Sequence, residues 1–197
     1  MSAPTEEEAF VLQMTARLDE ARVPYMVTGS VASSSYGQRR QTADADILID
    51  PETPSRVVRF VRALGEEFYA DLNTARMAVH DRRMFNVIEY ATSFKADLIV
   101  RKAEEYDRQS FDRRVLRPLN TGLPEVWMVS AEDSILSKLR WARETGSTRQ
   151  REDVIGVLTV QGGALDDAYL DRWADELGLR ADLERLRVVA GPLTPED

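Results

Sequence analysis

Phe10, Val11, Met14 and Leu18 recur at helical spacing behind a Thr5-x-x-Glu8 capping pattern, which predicts an amphipathic helix over Thr5 to Ala21, ended by Pro24. Tyr25 to Thr28 then reads as a short apolar strand, Gly29-Ser30 as a turn, and Val31 to Tyr36 as a small-residue helix closed by Gly37. A second strand is expected at Ala45 to Asp50, stopped by Pro51. Pro54 opens a helix through Leu64 that presents Val57, Val58, Val61 and Leu64. Asp71 to His80 reads as a helix, Phe85 to Tyr90 and Phe94 to Val100 as strands joined at Thr92-Ser93, and Val126 to Val129 as a further strand. From Ser130 the pattern turns helical. Ser130-x-x-Asp133 caps a long helix carrying Ile135, Leu136, Leu139 and Trp141, and further helical patterns run over Gln150 to Leu158, Asp166 to Leu177 and Arg180 to Val189. The chain thus divides into an α/β part, residues 1–129, and a helical C-terminal part, residues 130–197. The expected class is α/β (α+β), a mixed sheet flanked by helices.

A length of 197 residues suits one core domain with a helical appendage. No apolar stretch approaches the twenty residues of a membrane span, and the acidic N-terminus is unlike a signal peptide, so a cytoplasmic protein with no membrane partner is expected. Cysteine is absent and His80 is the single histidine, which leaves no basis for a thiolate zinc site. Any metal here would be a hard cation on oxygen ligands. The formal charge of -8 excludes a surface that is basic all over but permits a local basic groove. Of 26 basic residues only Lys95, Lys102 and Lys138 are lysine, so each lysine carries more information than an arginine does.

The chemistry lies in two short segments. A glycine turn between strand and helix lets backbone N–H groups and the positive helix end face a triphosphate, and the Ser30 hydroxyl adds a donor. In Asp44-x-Asp46, strand alternation sends both carboxylates to one face, about 7 Å apart along the strand, close enough to share metal ions. Asp97, centred in the apolar run from Phe94 to Val100, is the best third carboxylate for a two-metal site. Taken singly, each feature has a plainer reading as a turn, a strand end or a solvated aspartate; their order along the chain is what points to chemistry.

This stretch, with Gly29-Ser30 followed by Arg40-x-Thr42-x-Asp44-x-Asp46, resembles the first motif of the DNA polymerase β-type nucleotidyltransferase superfamily. The helical Glu132-Asp-Ser-Ile-Leu-Ser-Lys138-Leu and the later Arg149-x-x-x-Asp153-Val make the chain most similar, within it, to AbiEii-type nucleotidyltransferases, toxins of type IV toxin-antitoxin systems. The resemblance covers residues about 25 to 158. It implies a polymerase β-like fold and a helical C-terminal part closing over the cleft. It further implies a nucleoside triphosphate bound at Gly29, Ser30, Arg40 and Thr42, and two magnesium ions at Asp44, Asp46 and Asp97. In that family pattern Asp97 also helps to activate an acceptor hydroxyl, Lys138 reaches the nucleotide phosphates, and Asp153 orients the lysine or contributes to the acceptor site. One departure concerns the last motif, in which related toxins often have adjacent Arg-Asp, whereas Arg149 and Asp153 are spaced here.

Lys138 would by default be a solvated helix lysine, but its rarity in an arginine-rich chain favours a phosphate role. Arg39 and Arg40 either clamp a triphosphate or decorate a loop. The cluster Arg108, Arg113, Arg114 and Arg117 either touches an acidic acceptor such as tRNA or reflects coding bias, and His80 reads as a surface residue. The leading function is transfer of a nucleoside monophosphate from a triphosphate to a hydroxyl on RNA, protein or a small molecule, with a cognate antitoxin as a further partner. The alternatives are a non-catalytic nucleotide-binding module and an interaction partner of a toxin pair.

Overall fold

A computed structural model describes residues 3–37, 42 and 44–191. Helix α1 (Glu6–Glu20) starts at a complete Thr5/Glu8 capping box, which satisfies two of its free N–H groups, and buries Phe10, Val11, Met14 and Leu18. The order then runs β1 (Tyr25–Val27), α2 (Gly29–Tyr36), β2 (Asp44–Ile49), α3 (Pro54–Ala63), β3 (Phe68–Tyr69), α4 (Leu72–Asp81), β4 (Met84–Glu89) and β5 (Lys95–Val100). It continues with α5 (Glu105–Asp112), β6 (Val115–Pro118), β7 (Glu125–Met128), α6 (Ala131–Thr145), α7 (Thr148–Gln161), a 3-10 turn, α8 (Asp167–Glu176) and α9 (Arg180–Ala190). No described helix is long and apolar enough to cross a membrane.

Two compact units result, one from the described residues of Met1–Val31 and Gln41–Met128, the other from those of Ala32–Arg40 and Val129–Asp197. The first holds a seven-stranded sheet of order β3-β4-β5-β2-β1-β7-β6. It is mixed: β2 runs parallel to β5 and β1 parallel to β7, while the other neighbours are antiparallel. Strict alternation sorts its faces. Ala45, Ile47 and Ile49 of β2 and Ala96, Leu98 and Val100 of β5 are buried, and Met14, Leu18, Phe60 and Ala75 from α1, α3 and α4 add to the same unit's core. The opposite positions, Asp44, Asp46, Lys95 and Asp97, are left half-buried or exposed. Sheet chemistry and sheet core are therefore separated by the two-residue period alone.

In the second unit α6 packs against α7 and α8, and α7 against α9. Tyr36, at the end of α2, belongs to this unit, where its hydroxyl donates to the Val129 carbonyl at 2.8 Å. The α6 face differs from the expected apolar stripe. Trp141 is exposed, whereas Glu132, Asp133, Ser134 and Lys138 are buried beside Ile135, Leu136 and Leu139.

Three elements lie outside the expected pattern. The two residues of β3 are too few to show a period, and α5 offers only Tyr106 and Phe111 as apolar anchors in an otherwise polar run. Strand β6 is an edge strand ending on Pro118, paired only with β7, and its mixed side chains carry no alternation signal.

Candidate active site

The close approach of Gly29 to Asp46 defines the site in the first unit. Strand β1 ends at Val27, and the Thr28 N–H still donates to the Asp46 carbonyl at 2.9 Å, so the turn that follows is held against β2. Gly29 then takes a left-handed φ of +63°, and a β-carbon at this position would sit 1.9 Å from Asp46 Oδ2 and 2.8 Å from Asp46 Cβ. Both the dihedral and the contact require glycine. The Gly-Ser turn and the second carboxylate of Asp44-x-Asp46 are thus one local structure, with Ser30 next in the chain at the opening of α2.

The sheet register supplies the rest. Asp46 lies opposite Asp97 on the parallel strand β5, Asp44 lies opposite Lys95, and Asn86 of the antiparallel β4 lies opposite Asp97. Period-two alternation puts all five on one face. The Asn86 amide donates to Asp97 Oδ1 at 2.5 Å and the Lys95 ammonium donates to Asp97 Oδ2 at 3.2 Å. The same ammonium is 3.6 Å from Asp44 Oδ1. Thr42 is engaged with the backbone of Asp44, its hydroxyl donating to the carbonyl at 3.2 Å and accepting from the N–H at 3.3 Å, so it fixes the start of β2. Arg40, expected to contact the triphosphate, and Arg39 lie outside the described residues.

Partial burial works against the charged form of Lys95. The hydrogen bond and charge of Asp97, followed by those of Asp44, outweigh it and hold the ammonium above the usual lysine pKa. It is a full cation at neutral pH. As a donor set, three carboxylates on one face suit a hard divalent ion such as magnesium, with Asp46 and Asp97 directly opposed. Among the described residues no three such side chains are gathered closely enough to hold an ion as they stand. The Lys95 ammonium is within reach of two of these carboxylates, 3.6 Å from Asp44 Oδ1 and 3.2 Å from Asp97 Oδ2.

No family model matches the chain, and no curated protein matches its sequence. Solved structures do match. The antibiotic-resistance factor ANT(2'')-Ia in solution is 18% identical over 89% of this chain and 97% of that one, with a TM-score of 0.55. Its crystal structure in complex with adenylyl-2''-tobramycin is 17% identical over 94% and 97%, TM-score 0.53. An antigenic nucleotidyltransferase-like protein from Paracoccidioides brasiliensis is 15% identical over 94% of each chain, TM-score 0.57. The chain has the nucleotidyltransferase fold. At these identities the likeness is one of fold, and the residues of the site stand on their own geometry.

The second unit of this nucleotidyltransferase fold carries Lys138 and Asp153. Lys138 is 5% exposed, and its ammonium donates to Asp153 Oδ2 at 2.6 Å, joining α6 to α7. It is not a solvated helix lysine. The acidic start of the Glu132-to-Lys138 pattern is also engaged: Glu132 accepts from the Asp166 N–H at 3.0 Å, and Asp133 accepts from the Ser130 and Tyr169 hydroxyls at 3.0 and 2.8 Å, tying α6 to the start of α8. Two members of the arginine cluster have contacts of their own. Arg108 donates to the Ala103 carbonyl, Arg117 lies in β6, and the Arg114 guanidinium stacks 4.4 Å from the Phe111 ring and 4.9 Å from that of Trp127. His80 is exposed and pairs with Asp81.

The sequence reading gave Asn86 and Lys95 no role in the site. The second was findable, since Lys95 and Asp97 are two apart in a strand and must share a face, and lysine is rare in this chain. Asn86 had no such signal, because its register with Asp97 exists only once β4 and β5 pair.

Proposed function

We propose that the protein is a metal-dependent nucleotidyltransferase that moves a nucleoside monophosphate from a triphosphate to a hydroxyl acceptor. The observation that carries this reading is the contact of Gly29 with Asp46, which sets a phosphate-binding turn directly against a carboxylate that faces Asp97. The Gly29-Ser30 turn and the opening of α2 direct backbone N–H groups and the Ser30 hydroxyl at the phosphates. Asp44, Asp46 and Asp97 are the residues that would hold magnesium, which supplies charge neutralisation during in-line displacement. Asp97, oriented by Asn86, also accepts the proton of the attacking hydroxyl. The family pattern assigns Lys138 to the nucleotide phosphates and Asp153 to its orientation; their 2.6 Å pair supports the orienting part.

The acceptor is a small molecule or an RNA such as tRNA. The likeness to ANT(2'')-Ia, solved in complex with adenylyl-2''-tobramycin, supports the first, and the AbiEii-type motifs support the second, together with a cytoplasmic toxin role and a cognate antitoxin. A non-catalytic nucleotide-binding module is the second reading. It is favoured by the lack, among the described residues, of a gathered metal-holding group. Incubation with each triphosphate, magnesium and candidate acceptors, read by mass spectrometry, separates them. A nucleotidyl mass increment that disappears in Asp44→Asn/Asp46→Asn is expected; triphosphate binding that survives this double substitution, with no increment on any acceptor, would establish the module.

A further inference from the structure

We propose that Lys95 is a resident counter-cation of the carboxylate site, so that a divalent metal enters by displacing its ammonium from Asp97 and Asp44. The inference rests on the reading of these carboxylates as metal ligands and adds a residue that the reading does not require.

Backbone register forces the arrangement. Lys95 lies directly opposite Asp44 across the β2–β5 pair, and Asp97 is two residues further along the same strand, so all three side chains rise from one face. The ammonium reaches Asp97 Oδ2 at 3.2 Å and Asp44 Oδ1 at 3.6 Å. Asp97 consequently has both oxygens engaged, Oδ1 by Asn86 and Oδ2 by Lys95. The two partners differ in mobility. Asn86 has a short side chain from the middle of a paired strand, whereas Lys95 has a four-carbon stem, and its side chain is 31% exposed. Lys95 is the partner with the length and exposure to swing away, and Oδ2 is the oxygen it would free.

Charge gives the exchange its direction. Asp44, Asp46 and Asp97 place three like charges on one face, whose repulsion a single ammonium partly relieves. A divalent ion relieves it further, while a lysine released to water regains its hydration at small cost. The side chain therefore keeps the carboxylates together without metal and competes with metal for them.

The test is calorimetric titration of the full chain with Mn2+ alone, without nucleotide, for wild type, Lys95→Met, Lys95→Arg and Asp46→Asn, alongside melting curves with and without Mn2+. Lys95→Met keeps the stem and removes the charge. It should bind Mn2+ about tenfold or more tightly than wild type, melt lower without metal, and gain more from metal. Lys95→Arg, which keeps the charge, should bind no more tightly than wild type. Affinity in Lys95→Met equal to or weaker than wild type, with binding lost in Asp46→Asn, overturns the counter-cation and leaves the metal site standing. Binding that is absent from both wild type and Lys95→Met, or indifferent to Asp46→Asn, overturns the metal site and the counter-cation with it.

Discussion

Gly29→Ala is the most direct perturbation of the site, because two separable costs can be read from the geometry. The left-handed backbone at φ +63° is strained for any residue with a β-carbon, by about 1–2 kcal/mol. The added methyl would also lie 1.9 Å from Asp46 Oδ2 and 2.8 Å from Asp46 Cβ. Rotating the carboxylate relieves the first contact but not the second, since Cβ moves only with the backbone. Overpacking of this kind adds about 1–3 kcal/mol, for a total of about 2–5 kcal/mol. At this chain length each kcal/mol lowers Tm by about 2–4 °C, so a fall of roughly 4–20 °C is expected. Gly146→Ala is the internal control, with a similar φ of +72° and no atom within 4 Å of the added carbon. It should show the conformational cost alone, about 1–2 kcal/mol. Melting and magnesium-dependent triphosphate titration should be run on both. Gly29→Ala should be the less stable of the two and should lose most triphosphate affinity, because Asp46 is driven from its place. Equal melting of the two variants, with triphosphate affinity unchanged in Gly29→Ala, would refute the coupling of turn to carboxylate.

Other outcomes follow from the same geometry. Asp97→Asn should leave triphosphate affinity close to wild type while transfer falls by about 10²-fold or more, as kinetics beside equilibrium binding would show. Lys138→Met removes the 2.6 Å ion pair with the part-buried Asp153 and should cost about 1–3 kcal/mol in denaturant unfolding. The double variant Lys138→Met/Asp153→Leu should recover most of it. Tyr25 is 2% exposed, and burial, then the negative charge of Asp19, pushes its phenol from 10.0 up to about 12. The folded state therefore holds this proton more tightly than the unfolded one. Its stabilisation is complete below pH 10 and is lost as pH rises through about 12, a decline that Tyr25→Phe should flatten in pH-dependent melting.

Much of the sheet was legible because it obeys one rule. Residues 45 to 49 and 96 to 100 alternate between buried and half-buried positions, and in the letters they are visible as apolar runs that each carry one aspartate. Two helices with side-chain caps were equally plain, at Thr5 and Ser130; Asp71 and Asp166 likewise accept from an N–H three residues on, but at helix starts the sequence marked less sharply. Strand β6 was not visible, since an edge strand owes its form to its partner more than to its own side chains. The approach of Gly29 to Asp46 was hidden for a similar reason. The sequence places both residues at element ends, but only β1–β2 pairing brings those ends together. Trp141 is exposed where apolar spacing alone would have buried it, while Lys138 is buried on α6 through its ion pair with Asp153 of α7.

The choice of lysine at these positions has a physical reason. The chain uses arginine for all but three of 26 basic residues, yet two of those three lysines, Lys95 and Lys138, sit on aspartates of the candidate set. Elsewhere the ion pairs of the described chain are largely arginine's, as where Arg180 reaches Asp171 and Asp175 together, or Arg187 reaches Asp167 and Asp171. A guanidinium is planar, multidentate and well suited to such permanent clasps. At Lys95 a guanidinium could span Asp44 and Asp97 with separate donors and hold both; an ammonium at 3.2 and 3.6 Å is a point charge on a flexible stem. Where carboxylates must be released to another cation, the weaker and more mobile clasp is the functional one. Lysine at position 95 is what an exchangeable site requires, and arginine there would make it a structural one.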